Sequence, residues 1–426
     1  MKFQDLFPKP EAGSWEKAFF KETKIVGETV PEVRNQEGLS QSYFYTQSEP
    51  LVLDNQKAGW KIRQRINTKK PEALKSIENC FNSGVNILEI NNIPILSEIL
   101  KPAQIGLYEV SLSQVLAAIH QFSQHQISWA EGFLPSILCS GIWHEPDWEQ
   151  LIQYIQGFQK PLPISVAPVR NGGGTVVDEV TTALLAMDYI VQELLVRNVS
   201  LHELANRIQL RFATGPHIMS EIAKYRAVRF LWNKFWKGYN IDTESIPAYL
   251  IAETTIWNFS PADPHTDILR ATGAAFSSIV GTVDELLISP CPESAISPVE
   301  FGLRIARNIQ HILKEESYLA ATADPSAGAH YPETLAQQII NQVTAKLKEL
   351  NPKGNLKTLL LHNELTPAFA LRKQELVKRY REKQQSLIGV THYLNPNSIN
   401  VDLPKVSAER NTDFTPVSQT PIYFLL

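Results

Sequence analysis

From Gly59 onward, short apolar segments of strand length alternate with segments of helical period. That alternation restricts the possible folds more than any other feature of the chain. Residues 60–66 (WKIRQRI) repeat at period two, as a strand with two unlike faces does. Strand candidates follow at 85–90, 105–110, 127–133, 162–169, 207–213, 248–255 and 286–289, and helical segments separate most of them. Two strands joined through a helix run parallel. Eight such units predict an α/β fold of the (β/α)8 TIM-type barrel class, with the open doubly wound sheet as the alternative that periodicity leaves standing.

Around this core the sequence predicts an N-terminal arm (1–58), a barrel (59–350) and a helical linker with an extended tail (351–426). The arm is polar and irregular apart from 14–23, where Trp15, Phe19 and Phe20 fall at helical spacing. It is read either as reaching onto a partner or as folding back on its own barrel. Ser297, Pro298 and Glu300 read as a capping box with proline at the first helical position. The helix after Pro216 carries Lys224, Arg226, Arg229 and Lys234, read as a solvated basic face or a binding face. A last helix, 367–385, is rich in Arg and Lys without interleaved aromatics, which reads as a solvated face or a subunit contact.

Composition removes several function classes. The 426 residues are 43% hydrophobic and 20% charged, with 40 Lys plus Arg against 44 Asp plus Glu. That balance lacks the basic excess of a nucleic-acid binder. Three scattered cysteines, Cys80, Cys139 and Cys291, build neither a disulfide framework nor a paired-cysteine zinc site. No leader-like apolar core opens the sequence, and no membrane-length apolar run occurs. A soluble, cytoplasmic protein is expected.

The chemical motifs mostly fail on inspection. Asn171–Thr175 (NGGGT) follows a strand and precedes a helix, where backbone amides hold anions, but no Lys-Ser or Lys-Thr makes it a P-loop. In the run starting His202-Glu203, Asn206 stands where a zinc site needs its second histidine. Cys139 and His144 have no orienting acid. Asp263-Pro-His265 opens like a cobalamin-ligand motif, yet Ile268 occupies the glycine position.

Four separated blocks nevertheless resemble the acyl-CoA-binding barrel of the methylmalonyl-CoA mutase family. They are NGGGTVVDEV (171–180), EIAKYRAVRFLW (221–232), RIARNIQHILKEES (304–317) and DPSAGAHYPETLAQQI (324–339). Residues 59–161 are similar more loosely. Phe7-Pro8 with Trp15, and Tyr45-Thr46, look like the lead-in of the family's smaller subunit, and 374–393 like the linker before its cobalamin-binding domain. The resemblance implies a barrel that shields adenosylcobalamin-derived radicals while coenzyme A threads it. It also implies that this chain departs from the catalytic subunit. At the positions of the family's Tyr-His pair stand Ala167 and Pro168, which offer no side-chain hydrogen bond to a substrate. Thr254-Thr255-Ile256-Trp257 replaces a small and polar stretch, and no cobalamin-binding domain is matched. The resemblance thus predicts a small, non-catalytic subunit paired with a large catalytic subunit that carries the adenosylcobalamin. No cofactor, metal, nucleic acid or membrane is expected on this chain. Arg170, Asn171, Thr254 and Thr255 are candidates for a vestigial pocket, and acyl-CoA binding is left open. The alternatives are the barrel subunit of a split acyl-CoA mutase, and a free-standing acyl-CoA-binding or regulatory barrel in which Arg170 holds a phosphate or carboxylate.

Overall fold

A computed structural model of the chain describes residues 13–24, 33–42, 45, 48–53, 57–69, 73–99, 103–123, 125–130, 145–244, 246–260, 263–291 and 299–394. Helix α1 (Ser14–Thr23) comes first, then the two-residue strands β1 (Val33–Arg34) and β2 (Ser40–Gln41), paired antiparallel. The barrel follows as β3 (Lys61–Ile66), α2 (Ala73–Asn82), β4 (Ile87–Ile90), β5 (Gln104–Leu107), α3 (Leu112–Gln121), β6 (Gln126–Trp129) and α4 (Glu145–Ile152). It continues with β7 (Leu162–Ser165), α5 (Ala167–Asn171), α6 (Val176–Val196), α7 (Leu201–Arg207), β8 (Ile208–Thr214), α8 (Ile218–Gly238), β9 (Leu250–Thr254), α9 (Pro264–Val280) and β10 (Glu285–Leu287). Helices α10 (Val299–His311), α11 (His330–Leu350), α12 (Leu356–Leu361) and α13 (Thr366–Arg381) complete the described chain.

Strands β3 to β10 form one parallel sheet in the order 6-5-4-3-10-9-8-7, so all eight expected strands exist. The sheet curls on itself. Arg211 of β8 reaches Glu89 of β4 (2.6 Å) and the carbonyl of Ala130 just beyond β6 (3.1 Å), contacts that an open sheet does not allow. A seam remains between β6 and β7, which share no ladder among the described residues. There the Trp129 amide donates to the Tyr154 hydroxyl (2.8 Å), and Pro163 sits mid-strand in β7. This is an α/β barrel, nearly closed.

Local chemistry explains where the elements begin. Ser111 with Gln114 caps α3, and Thr175 with Asp178 caps α6, each reciprocally. The segment 162–169, expected as one strand, divides: β7 ends at Ser165 and α5 begins at Ala167. Pro168 lacks the N–H that a ladder needs, and its fixed φ suits a first helical turn. The expected basic face of α8 is overturned at three of its four positions: Lys224, Arg226 and Arg229 are buried in ion pairs, and Lys234 alone of the four is exposed. Between α8 and α11, Arg226 binds Asp324 (2.6 Å) and Glu333 (2.5 Å). Ser297, Pro298, Cys139, His144, Phe7, Pro8 and the tail past 394 lie outside the described residues.

Part of the arm folds back. Ser40 exchanges two hydrogen bonds with Gln338 of α11 (2.9 and 3.0 Å), Tyr45 stacks on Tyr331, and the Leu51 amide donates to Glu333 (3.1 Å). In α1, by contrast, no residue is buried. Among the described residues no helix is long and apolar enough to cross a membrane.

One glycine is required by close approach. Gly173 has φ 106°, and a Cβ there would lie 2.5 Å from the Phe369 carbonyl of α13. Gly173→Ala is expected to destabilise the protein by about 2–4 kcal/mol, since both the backbone conformation and the space exclude a methyl. Urea unfolding of the variant against the unsubstituted chain measures this.

Candidate functional site at the barrel mouth

In a barrel of this class, chemistry belongs at the C-terminal ends of the strands, with substrate entering the lumen or mouth. Here the lumen is occupied by charge. Period-two alternation sends Ile62, Gln64 and Ile66 of β3 to one face, and Arg63 and Arg65 to the other. Arg63 binds Glu89 (2.8 Å) and Glu285; Arg65 binds Glu89 (2.8 Å); Arg211 binds Glu89 (2.6 Å) and Glu253 (2.5 Å). Three guanidinium groups therefore face three carboxylates, and the side chains of Arg211 and Glu89 are fully buried. Burial alone would raise the Glu89 pKa, but Arg211, Arg65 and Arg63 hold it well below the ordinary carboxylate range. Space is short around this layer. A Cβ on Gly106 of β5 would lie 3.1 Å from Ala130 Cβ and 3.3 Å from Glu89 Cγ. Below the network, at the N-terminal end, a polar cavity of about 240 Å³ is lined by Lys61, Gln126, Lys160 and Tyr249 among others.

The mouth is built around the turn between α5 and α6. Arg170, on the last turn of α5, is buried against Glu37, which the β1–β2 strap brings down onto the barrel end. Its two Nη atoms each approach a different oxygen of Glu37 at 2.6 Å, and Nη2 also binds Glu221 (3.0 Å). The Val176 amide, opening α6, donates to Glu37 Oε2 (3.1 Å). Burial pushes the Glu37 pKa upward, but Arg170, with Arg372 and His217, brings it down from 4.5 to about 2. Behind this pair Lys224 joins Glu221 (2.6 Å) and Glu179 (2.9 Å). Helix α13 closes the other side: Arg372 donates to the carbonyls of Gly173 (2.8 Å) and Gln36 (2.5 Å), and Lys373 lies over the Trp257 ring. Arg372 and Lys373 thus turn inward, whereas Lys378, Arg381 and Lys383 of the same basic run are exposed. A cavity of about 40 Å³ remains, room for a few water molecules at most.

The six residues singled out in the sequence all lie in this region, in different roles. Arg170 is held by carboxylates of its own chain, and Arg170 and Thr255 line the mouth cavity. The Thr255 hydroxyl donates to the Asn171 side-chain oxygen (2.6 Å). Thr254 Oγ1 accepts from the Ser289 amide (2.8 Å), and Ala167 and Pro168 are buried in α5. Glu37 and Glu221 escaped the sequence reading, as did the lumen network. For the lumen a signal existed: the strand candidates of β3, β4, β8 and β9 each carry charge within an apolar run, and Glu285 directly precedes that of β10. Glu37 stands in an irregular polar segment and carries no comparable signal.

Comparisons with known proteins concern the chain's relatives. The family model described as methylmalonyl-CoA mutase matches residues 151–416. The chain is 26% identical over 236 residues to the methylmalonyl-CoA mutase of Escherichia coli K12, covering 54% of this chain and 33% of that protein. It is 25% identical over 343 residues to the methylmalonyl-CoA mutase small subunit of Porphyromonas gingivalis (73% and 54%). To the large subunit of the same organism it is 27% identical over 207 residues (47% and 28%). The chain thus spans between 28% and 54% of the length of these relatives.

Two outcomes follow from the site's electrostatics. Arg211→Met removes the cation shared by Glu89 and Glu253, and is expected to cost about 3–5 kcal/mol in chemical denaturation because uncompensated charge stays buried. Glu37 has a folded pKa of about 2 against 4.5 unperturbed. Its stabilisation is therefore complete above about pH 4.5 and lost as the pH falls toward 2. Glu37→Gln should cost about 3 kcal/mol at neutral pH and flatten that part of the acid limb of a stability–pH profile.

Proposed function

The chain belongs to the methylmalonyl-CoA mutase family, and from that premise we propose that it is the small, non-catalytic subunit of a heterodimeric enzyme. In this reading a large subunit interconverts methylmalonyl-CoA and succinyl-CoA and carries the adenosylcobalamin. The observation that carries the proposal is the filled lumen. A thioester substrate threading this barrel would have to displace three arginines and three glutamates already satisfied by one another. Such an exchange leaves buried charges unpaired, at several kcal/mol for each.

The mouth supports the same reading. A cavity of about 40 Å³ beneath the strap and α13 does not fit a corrin ring or an acyl-CoA head, so no chemical step is assigned to this chain. Ala167 and Pro168 place an aliphatic side chain and an imino acid where the resemblance expects a tyrosine and a histidine. Neither holds or moves a proton. The alternative in which Arg170 holds a phosphate of acyl-CoA is weakened, because Glu37 already occupies both of its Nη atoms.

The subunit's contribution is physical: a barrel of matching shape covering the catalytic barrel and keeping solvent from reactive intermediates. The pair of relatives named small and large subunit in one organism supports a partner of this kind. Helix α1, in which no residue is buried, is the part of the arm assigned to that partner, while Ser40 and Leu51 tie the following segment to its own barrel. A cytoplasmic location for the complex belongs to the same proposal.

Affinity purification of the tagged full chain from its source cells tests the reading. A larger mutase chain is expected at one-to-one stoichiometry, with adenosylcobalamin-dependent isomerisation in the complex. The purified chain alone should show neither turnover nor saturable acyl-CoA binding by calorimetry. Turnover or saturable binding by the isolated chain would overturn the proposal.

A further inference from the structure

The most self-contained piece of unexplained chemistry is the Glu37 contact. A carboxylate is bound here as a ligand is bound, with both oxygens engaged. Arg170 Nη2 meets Oε1 and Nη1 meets Oε2, each at 2.6 Å, and the Val176 amide adds a third donor at 3.1 Å. That amide opens the 21-residue helix α6, whose N-terminus favours negative charge. The guanidinium is itself prepared for the task. It is buried, with Nη1 also donating to the Gly174 carbonyl (3.2 Å) and Nη2 to Glu221.

The segment that delivers Glu37 is held differently from the cradle. Within the described residues 33–42, Leu39 is the sole buried apolar side chain, and Val33 and Arg34 are exposed. The other ties are polar: Asn35 to Ser220 (3.0 Å), Gln36 to His217 (2.9 Å) and to Arg372, and Ser40 to Gln338. An element with so little buried apolar surface belongs to the low-stability end of a structure. Lifting it changes the charge balance of the mouth. Arg170, Lys224 and Arg372 would face Glu221 and Glu179, with Asp178 nearby already paired to Lys346, leaving a net positive cradle with a vacant fork of donors.

We propose that Arg170 and the first turn of α6 form a carboxylate-binding site whose resident ligand is this chain's own Glu37, carried on a strap (33–41) that can be displaced. The ligand class is a carboxylate, because that is the group the fork holds here, each of its two oxygens meeting one guanidinium nitrogen. The low pKa of Glu37 is consistent with a tightly held anion. The inference does not rest on the subunit reading, and it holds whether or not the large subunit carries the chemistry.

Emptying the cradle and refilling it from solution tests this. The full chain bearing Glu37→Ala is melted in sodium acetate and in sodium chloride at matched pH and ionic strength. Acetate is expected to raise the Tm of the variant saturably, by about 1–3 °C over chloride. The unsubstituted chain, its cradle filled, should show no such difference, and Glu37→Ala with Arg170→Met should lose it. Equal melting of Glu37→Ala in the two salts overturns the proposal. So does an equal acetate response in the unsubstituted chain, or one retained by the double variant. If Glu37→Ala does not fold in chloride, its refolding yield from denaturant is compared in the two salts. A several-fold higher yield in acetate is expected, and equal yields overturn the site.

Discussion

Three arginines and three glutamates drawn from five strands share the axis of this barrel, and much of the molecule is arranged to make that tolerable. Burying one unpaired ion costs several kcal/mol, so none of the six can be exchanged without consequences for the others. Their sequence separation is wide: Arg63 and Arg65 lie on β3, Glu89 on β4, Arg211 on β8, Glu253 on β9 and Glu285 on β10. The network is satisfied only when all five strands are in register. Whatever its net effect on stability, it discriminates against a slipped or open sheet, because a one-residue slip would turn each of these charges toward the apolar layer beneath the helices.

The same logic runs through the segments that resemble the family. Arg226, within 221–232, meets Asp324 and Glu333, within 324–339. Arg307 and Gln310, within 304–317, donate to Gln64 and accept from the Trp60 indole (2.9 and 3.1 Å). Glu179, within 171–180, holds Lys224 and the Ala213 amide (2.7 Å). These segments therefore contribute contacts that lock helices to one another and to strands. Such contacts do not depend on what fills the lumen or the mouth, which is why a likeness in these blocks is compatible with Ala167 and Pro168 in α5.

Strand number, helix rhythm and the glycine turn were legible in the sequence because each rests on local periodicity or backbone chemistry. Closure was not, since it depends on Arg211 meeting Glu89 across the barrel. The buried cations of α8 were misread for a related reason: Lys224 and Arg226 look solvated until Glu179, Glu221, Asp324 and Glu333 are placed beside them. Glu37 was the least legible of all. An acidic residue in a polar segment has no local mark of burial, and only Arg170, 133 positions away, gives it a role.

The seam between β6 and β7 has a consequence for how the protein behaves among other chains. β7 pairs with β8 on one side and with no strand on the other among the described residues, which leaves an edge of the kind that recruits foreign strands. Pro163, in the middle of that four-residue strand, withdraws one amide donor from it. At the end of β6, Tyr154 and Arg211 occupy the Trp129 amide and the Ala130 carbonyl. A barrel left unzipped along one line is thereby protected at that line against adding a ninth strand from a neighbour.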